Sequence, residues 1–319
     1  MTTTHIPGPP AINNPLKLLQ LMPRLRDETL DFVTEIQAAH GDFFKFVIMG
    51  QTQYVIANPE LAYEVLVKQG DKFIKDTGYT DSHRGLARFF GDGLLTSNGD
   101  FWKRQRKLAA PAFHPRRIDA YANVMTEYTQ QRIATWRDGV TLDMNIETNA
   151  ITMQVVARTL FNAAVMGEIE VFARAMKAIQ EWSSEVRFSM LPNWVPSPLE
   201  LRARQAGRDL DAFVYRLISD WRAVGEDRGD LLSMLLMAQD EDGNPMTDVQ
   251  ARDELVTIFL AGHETTANTL NWALMLLSQH PEAEAKLHAE LDAVLAGRVP
   301  TLADLKQLPY LEQVVKEVL

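Results

Sequence analysis

The stretch that decides the fold is DELVTIFLAGHETTANTLNWALMLL, residues 253–277, in which polar residues interrupt an apolar segment. The surrounding pattern predicts one helix from Thr247 to Gln279, roughly 50 Å long at 1.5 Å per residue. Thr247 and Gln250 have the spacing of a capping box, and Pro281 ends the helix. The helix is apolar on nearly every face, so we expect it to be buried along much of its length.

The centre of this helix carries four residues that weaken or polarise it. Gly262 costs about 1 kcal/mol relative to alanine in a helix interior. Thr265 and Thr266 can donate hydrogen bonds to carbonyls three or four residues earlier, which bends or opens a helix. A buried Glu264 needs a partner, a proton or access to solvent. Such a cluster at the midpoint of one helix indicates a function.

The residues alone leave three interpretations open. The first is a structural bend, with Glu264 paired to an arginine of a neighbouring helix. The second is a zinc site, because His263 and Glu264 begin an HExxH motif; its second histidine is replaced by Ala267, which makes this interpretation weak. A di-iron site is disfavoured as well, since none of the seven histidines follows a glutamate by three residues. The third is an acid–alcohol pair that handles protons beside a cofactor.

The rest of the chain predicts a mainly α-helical protein with a small N-terminal β-sheet. DFFKFVIMG and QTQYVIAN, residues 42–58, read as two strands with a turn at Gly50-Gln51. Asn58 is predicted to cap a short helix that stops at Gly70, and residues 71–100 are rich in loops. Further helices are predicted at 101–110, 116–137, 147–162, 167–189, 198–225, 229–239, 247–279, 281–296, 301–306 and 309–319.

No shift in composition calls for a domain boundary, so a single domain over 1–319 is expected. The prolines of the N-terminal region favour an extended leader on the surface; they are Pro7, Pro9, Pro10, Pro15 and Pro23. No basic region followed by an apolar run is present, and no stretch reaches the roughly 18 to 20 apolar residues that span a bilayer. We therefore expect a soluble, cytoplasmic protein without a transmembrane anchor.

The composition argues against several classes of function. The net charge is −10, and a field of this sign disfavours binding of nucleic acid. The chain has no cysteine, which excludes disulfides, thiolate nucleophiles and cysteine-based zinc sites and indicates an intracellular protein. The apolar content of 46% is ample for a large core.

Three motifs resemble those of the cytochrome P450 family, the haem-thiolate monooxygenases. AGHETT, residues 261–266, matches the family's oxygen-binding pattern Ala/Gly-Gly-x-Asp/Glu-Thr-Thr at every fixed place. Trp102 and Arg106 have the Trp-x-x-x-Arg spacing of the helix that binds a haem propionate, and Lys316 and Glu317 begin a Lys-Glu-x-x-Arg motif. Their order and spacing extend the resemblance over essentially the whole chain and imply a cytochrome P450-like fold.

The resemblance implies catalytic roles for Glu264 and Thr265 beside haem b. Thr265 would hydrogen-bond bound dioxygen or a water, and Glu264 would feed protons inward as a general acid. Ala261 would present a small face to the haem, and a helix opening near Gly262 would admit water. His263 and Thr266 are assigned to packing and hydrogen bonding.

Trp102 and Arg106 are expected to bind a haem propionate. They lie one turn apart on one helix face. A guanidinium can bond a carboxylate bidentately, and the indole N–H can donate one more bond. The alternative is a core tryptophan beside a surface arginine.

The same helix region, 102–117, is expected to dock an electron donor. The resemblance implies that electrons come from NAD(P)H through a separate redox partner such as a ferredoxin, flavodoxin or reductase. Electrostatic steering suits such a contact, although a solvated helix face explains the same charges. The basic residues concerned are Lys103, Arg104, Lys107, Arg116 and Arg117.

By the same resemblance, two segments would line or cover a substrate pocket, 71–100 and 183–198. Their apolar character favours a hydrophobic substrate such as a fatty acid or a terpenoid. The second segment carries the apolar residues Phe188, Met190, Leu191, Trp194 and Val195.

The chain departs from the family pattern in one respect: it contains no cysteine for the haem-ligand loop, and therefore no axial metal ligand. It is expected to be a C-terminally truncated fragment, inactive by itself, since thiolate ligation favours O–O cleavage. A thiolate-type Soret band in the reduced, carbon-monoxide-treated protein would contradict that expectation. Glu317 is predicted to be structural and, without its arginine partner, to destabilise the chain. A haem-free binding protein for apolar ligands and a nonfunctional remnant are the alternatives.

Overall fold

The computed structural model describes residues 6–161, 169–186 and 197–319, which are mainly helical with one two-stranded sheet. The mainly α-helical class with a small N-terminal sheet is confirmed. The chain divides into two compact units, Met1–Ile74 and Lys75–Leu319. The single domain over 1–319 stays a prediction. Among the described residues, none of the helices combines the length and the apolar character that crossing a bilayer requires.

The first unit packs two helices and a β-hairpin around phenylalanines. Phe44 is fully buried, and Phe32 stacks on Phe46 with ring centroids 5.8 Å apart. A π-helical turn, Glu64–Lys68, and a 3-10 turn, Gly70–Lys72, end the unit. Its regular elements are α1 (Pro15–Asp27), α2 (Thr29–His40), β1 (Phe43–Ile48), β2 (Gln51–Ile56) and α3 (Pro59–Tyr63).

The hairpin turn lies one residue earlier than predicted. The strands are antiparallel, and Ile48 pairs with Gln51, so the turn residues are Met49 and Gly50. Both have a positive φ, 49° and 79°. A two-residue turn with positive φ at both positions matches the right-handed twist of the strands, which is why it is preferred over a turn at Gly50-Gln51.

The extended leader is confirmed only for residues 6–14. The Ile12 N–H donates to the Val47 carbonyl at 2.8 Å, which places this part beside β1. From Pro15 to beyond Pro23 the chain is helical, so the prediction of an extended leader was wrong there. Pro15 lies in the first turn, where its missing N–H is not needed, and the Asn14 side chain caps the helix.

The second unit contains the predicted helices, with bounds that shift by a few residues. Among the described residues, the 3-10 segments Ala110–Phe113 and Leu302–Gln307 connect some of them. The helices are α4 (Thr77–Thr80), α5 (Ala87–Phe90), α6 (Gly99–Ala109), α7 (Pro115–Ile133), α8 (Met144–Phe161), α9 (Ile169–Val186), α10 (Pro198–Val224), α11 (Leu231–Met237), α12 (Asp248–Gln279), α13 (Pro281–Leu295) and α14 (Pro309–Val318).

The central helix α12 begins with the predicted capping box. The Gln250 N–H donates to Thr247 Oγ1 at 3.2 Å, and the Thr247 N–H donates to Gln250 Oε1 at 3.0 Å. The following residues, 251–260, lie in the core. Phe259 packs there against Phe172 of α9, with ring centroids 4.1 Å apart. Burial of each such ring contributes roughly 2 to 3 kcal/mol, so α12 is anchored by its first half.

The second half of α12 is more exposed than predicted. Ala261, Gly262 and Thr265 are exposed, and Trp272 is 55% exposed although its helix is apolar on nearly every face. The expectation of burial along much of the helix holds for residues 251–260, whereas between 261 and 279 only His263 and Ala267 are buried. The polar motif therefore begins where the buried half ends.

Candidate functional site

The exposed motif of α12 is built on an uninterrupted helix. Thr265 Oγ1 donates to the Ala261 carbonyl at 2.6 Å, and Thr266 Oγ1 donates to the Gly262 carbonyl at 3.0 Å. The predicted bonds back to the helix are thus present. The helix remains α-helical through Thr269, so no opening is seen at Gly262. Ala261 and Thr265 lie one turn apart and present a small apolar group and a hydroxyl on one exposed face.

Glu264 is half-buried and is held by an amide. Its Oε2 accepts a short hydrogen bond from Gln180 Nε2 of α9. Burial raises the pKa of Glu264 above its ordinary value. The expected alternative partner was an arginine, and among the described residues no cation takes that place. Since Gln180 carries no charge, it supplies no cation to offset the burial, and the pKa of the carboxyl stays raised.

His263 points into the core beside this acid. It is 8% exposed, and its ring lies 5.9 Å from that of Phe259. Burial lowers the pKa of His263, so the neutral form is favoured. This position agrees with a packing role.

Trp102 and Arg106 of α6 are brought together as predicted. The Arg106 guanidinium lies 5.2 Å from the centroid of the Trp102 ring, and Arg106 is exposed. Within the described part of the chain, Arg106 has no carboxylate partner. The indole N–H is engaged, however, because Nε1 donates to the Leu94 carbonyl at 3.1 Å. The pair therefore offers one cation that is available to an anionic group.

A group of residues that sequence reasoning missed connects α6 to α12. Lys75 Nζ donates to the carbonyls of Leu94 and Ser97 at 2.8 and 2.6 Å. The Leu94 N–H donates to Glu254 Oε2 of α12 at 3.1 Å. Glu254 is fully buried, and burial raises its pKa to about 7. Trp102 is thus linked through the backbone of one residue, Leu94, to a buried acid of the central helix.

Arg252 and Asp253 bind the loop before α6 to the same turn of α12. Arg252 Nη2 donates to the Phe89 carbonyl at 2.6 Å, and its Nη1 donates to Asp253 at 2.9 Å. Asp253 accepts the Asp92 N–H at 2.8 Å, and burial raises the pKa of this carboxyl. The available signal was Arg-Asp-Glu at 252–254, three charges in a row inside a helix predicted to be buried.

The basic residues of region 102–117 are largely paired with acids. Arg104 Nε lies 2.7 Å from Asp240, and Lys107 pairs with Glu241. The segment before α12 folds back against α6, a long-range contact that the sequence pattern does not contain. The side chains of Arg116 and Arg117 lie outside the described part of the chain. Docking of a redox partner at this helix stays a prediction.

Glu317 is exposed on α14 and takes no part in an ion pair with any described residue. Its neighbour Lys316 pairs with Glu312 one turn earlier. The expectation that Glu317 leaves a destabilising buried charge was wrong, because the penalty for an unpaired charge applies to buried groups and not to solvated ones.

The segments implied for substrate binding are only partly described. Phe188, Met190, Leu191, Trp194 and Val195 lie outside the described residues. Segment 71–100 is described and packs on α12 through Leu94. A groove of about 340 Å³ with a mostly apolar lining lies between α7, α8 and α12; it includes Gly262 and Thr266 of the motif and does not include Glu264 or Thr265.

Comparison with known proteins agrees with this arrangement. The family model "Cytochrome P450" matches residues 7–319. Cyclooctatin synthase of Streptomyces melanosporofaciens is 36% identical over 301 residues, covering 91% of this chain and 63% of that protein. Pentalenene oxygenase of Streptomyces avermitilis is 35% identical, covering 91% of this chain and 64% of that protein. The chain thus spans just under two thirds of the length of these curated relatives.

A solved structure shares the fold. The structure described as retinoic acid bound cyanobacterial CYP120A1 superposes with a TM-score of 0.80 at 24% identity, covering 99% of this chain and 70% of that one. The predicted fold is therefore confirmed, and the predicted family is confirmed by the family model and the relatives. The chain belongs to the cytochrome P450 family, whose cofactor is haem.

Proposed function

We propose that this protein acts as a haem-dependent monooxygenase. The reaction inserts one oxygen atom of dioxygen into an apolar organic substrate and reduces the other to water. Electrons come from NAD(P)H through a separate redox partner. The observation that carries the proposal is the exposed face of Ala261 and Thr265 beside the half-buried Glu264, at the centre of an otherwise anchored helix in a chain of this family.

The residues present fit haem. Arg106 is an exposed guanidinium without an acidic partner in the described part of the chain, which suits a propionate carboxylate. The Arg106 guanidinium lies over the Trp102 ring, 5.2 Å from its centroid. Ala261 has the smallest apolar side chain, so a flat ring can approach the helix closely there, whereas a Cβ on Gly262 would lie 3.2 Å from Val156 Cγ2 of α8. Haem, when bound, supplies the redox chemistry that activates dioxygen.

Glu264 and Thr265 supply the proton path. Burial raises the pKa of Glu264, so its carboxyl holds a proton at higher pH than a solvated glutamate. Gln180 fixes the orientation of that carboxyl by donating to Oε2. Thr265 Oγ1 donates to the Ala261 carbonyl, which leaves its oxygen lone pairs directed away from the helix to accept a bond. Together they act as general acid and as hydrogen-bonding hydroxyl.

The iron ligand and the electrons come from outside these 319 residues. The chain contains no cysteine, so none of its residues can supply a thiolate. We place the electron donor near α6, in the region 102–117. Arg104 and Lys107 are already paired with acids. The attraction of this surface for an acidic donor is therefore weaker than the number of its basic residues indicates.

The substrate we propose is a terpenoid. The relatives pentalenene oxygenase and cyclooctat-9-en-7-ol 5-monooxygenase act, by their names, on compounds of this kind. They are 35% and 34% identical to this chain. The mostly apolar lining of the groove between α7, α8 and α12 supports a hydrophobic substrate rather than a charged one.

Titration of the purified protein with haem, followed by absorbance, tests the proposal. We expect saturable binding, which Arg106→Ala weakens roughly tenfold because a charge-assisted hydrogen bond is lost. Lys103→Ala is the matched control, since Lys103 is exposed on the same helix and pairs with Asp100 at 3.1 Å. Equal haem binding by the wild type and Arg106→Ala would refute the assigned clamp. Absence of haem binding together with saturable binding of a terpenoid would favour the haem-free binding protein instead.

A further inference from the structure

The backbone of Leu94 is held by side chains at both of its polar groups. Its N–H, in the Gly93–Leu94 peptide, donates to Glu254 Oε2 at 3.1 Å. Its carbonyl, in the Leu94–Leu95 peptide, accepts from Lys75 Nζ at 2.8 Å and from the Trp102 indole at 3.1 Å. The backbone of this one residue therefore connects the buried half of α12 to the tryptophan of α6.

Packing alone does not explain a glutamate at this position. Glu254 is fully buried between Asp253 and the apolar Leu255, and its Oε1 has no hydrogen-bond partner in the described part of the chain. A buried carboxyl with an unpaired oxygen is less favourable than an apolar side chain of similar volume. Its presence is accounted for by the one bond that it does make, to Leu94.

The loop that carries Leu94 lies directly on α12. A Cβ on Gly93 would be 2.3 Å from Thr257 Oγ1 and 2.7 Å from the Asp253 carbonyl, so only glycine permits this approach. On the other side, Lys75 Nζ also lies 5.1 Å from the centroid of the Trp102 ring. The loop has little freedom to move unless one of these contacts is lost.

We propose that Glu254 is a positioning residue: by holding the backbone of Leu94 at its N–H, it fixes the carbonyl of the same residue, which orients the Trp102 indole and with it the Arg106 guanidinium that lies over that ring. The coupling between Glu254 and Trp102 follows from the contacts of this chain. Its consequence for haem rests on the proposed function, in which Arg106, lying over the Trp102 ring, binds a propionate.

Fluorine NMR of the protein labelled with 5-fluorotryptophan tests this coupling without haem. Trp102→Phe identifies the Trp102 signal among the six tryptophans. Glu254→Met is expected to shift that signal and to speed hydrogen exchange of the Leu94 amide roughly tenfold or more. Glu254→Gln keeps an oxygen that accepts the Leu94 N–H, so its Trp102 signal and its rate of Leu94 amide exchange should be close to those of the wild type. Thr257→Val, one turn along, removes a buried hydroxyl without a described partner and is the control.

A haem titration of the same variants connects the coupling to the site. Glu254→Met is expected to weaken haem binding about tenfold, while Glu254→Gln and Thr257→Val leave it unchanged. If Glu254→Met does not fold, Glu254→Asp makes the same comparison, because its shorter side chain cannot reach Leu94. The proposal is overturned if the Trp102 signal and the Leu94 amide exchange of Glu254→Met, or of Glu254→Asp in its place, match those of Thr257→Val. If the wild type binds no haem, the proposed function fails, while the NMR comparison still decides the role of Glu254.

Discussion

At the scale of single residues, this chain places two acids of raised pKa on one helix with different surroundings. Glu254 is fully buried, and its pKa rises to about 7; Glu264 is half-buried, and its pKa is raised too. The first holds a backbone N–H, and the second is held by the neutral amide of Gln180. We therefore assign the first to positioning and the second to proton transfer.

Glu254 makes stability depend on pH. Its pKa is raised from 4.5 to about 7, mainly by burial, with Asp253 adding to the rise and Lys75 opposing it. Folding then takes up a proton between these values, so this contribution is complete below pH 4.5 and is lost as the pH rises through about 7. The shift corresponds to roughly 3 kcal/mol. As the pH rises through this interval, the free energy of unfolding of Glu254→Gln, measured with urea, should increase relative to that of the wild type by roughly 3 kcal/mol.

The control for this pH experiment is Thr257→Val, whose stability should follow that of the wild type in parallel. A difference between Glu254→Gln and the wild type that stays constant with pH would show that Glu254 does not titrate in this interval.

Gln180 is expected to tune the acid that it contacts. A hydrogen bond donated to a carboxylate favours the ionised form, so Gln180→Leu should raise the pKa of Glu264 further, and Gln180→Arg should lower it. A carbon-13 NMR titration of the labelled carboxyl measures both. Unchanged titration in the two variants, or a shift in the same direction, would contradict this role. In the loaded enzyme, Glu264→Gln should slow turnover roughly 100-fold.

At the scale of elements, the site depends on how closely the loop before α6 approaches α12. Three successive residues of α12 bond the backbone of α5 and of this loop. Arg252 bonds Phe89, Asp253 bonds Asp92, and Glu254 bonds Leu94. These bonds replace the apolar contacts that the rest of α12 uses. The charged turn at the start of the helix is therefore a docking turn for the loop and not a solvated end.

A pair of glycine substitutions measures this approach. Gly91 and Gly99 have nearly the same positive φ, 63° and 64°, so alanine is strained at either by about 1 kcal/mol. Only at Gly91 would a Cβ meet another group, 2.1 Å from Asp253 Oδ2; at Gly99 it meets open space. Gly91→Ala should therefore cost roughly 1 to 3 kcal/mol more than Gly99→Ala in urea unfolding. Equal costs would show that the loop moves away without loss.

At the scale of the whole molecule, the described residues form two hydrophobic cores. If the chain is a single domain, as predicted, the two cores should unfold together. Phe44 is the buried centre of the first unit, and Phe259 joins the aromatic cluster of the second. Phe44→Ala and Phe259→Ala should each cost roughly 3 to 5 kcal/mol. A single domain predicts that both lower one common transition, followed by tryptophan fluorescence and circular dichroism. Two transitions that respond separately would contradict it.

The location in the cell also belongs to this scale, and a cytoplasmic site stays a prediction. Immunodetection after cell fractionation would measure it.

The sequence by itself determined the family, the helical order and the members of the motif on α12. Those properties depend on short-range patterns: capping residues, apolar periodicity, and the spacing of Ala261, Glu264 and Thr265 along one helix. The tertiary structure alone decided that Gln180 and not an arginine holds Glu264, that Leu94 links Trp102 to Glu254, and that Glu317 is exposed. Each of these depends on contacts between residues distant in the chain, and on burial, which sets whether a charge costs free energy.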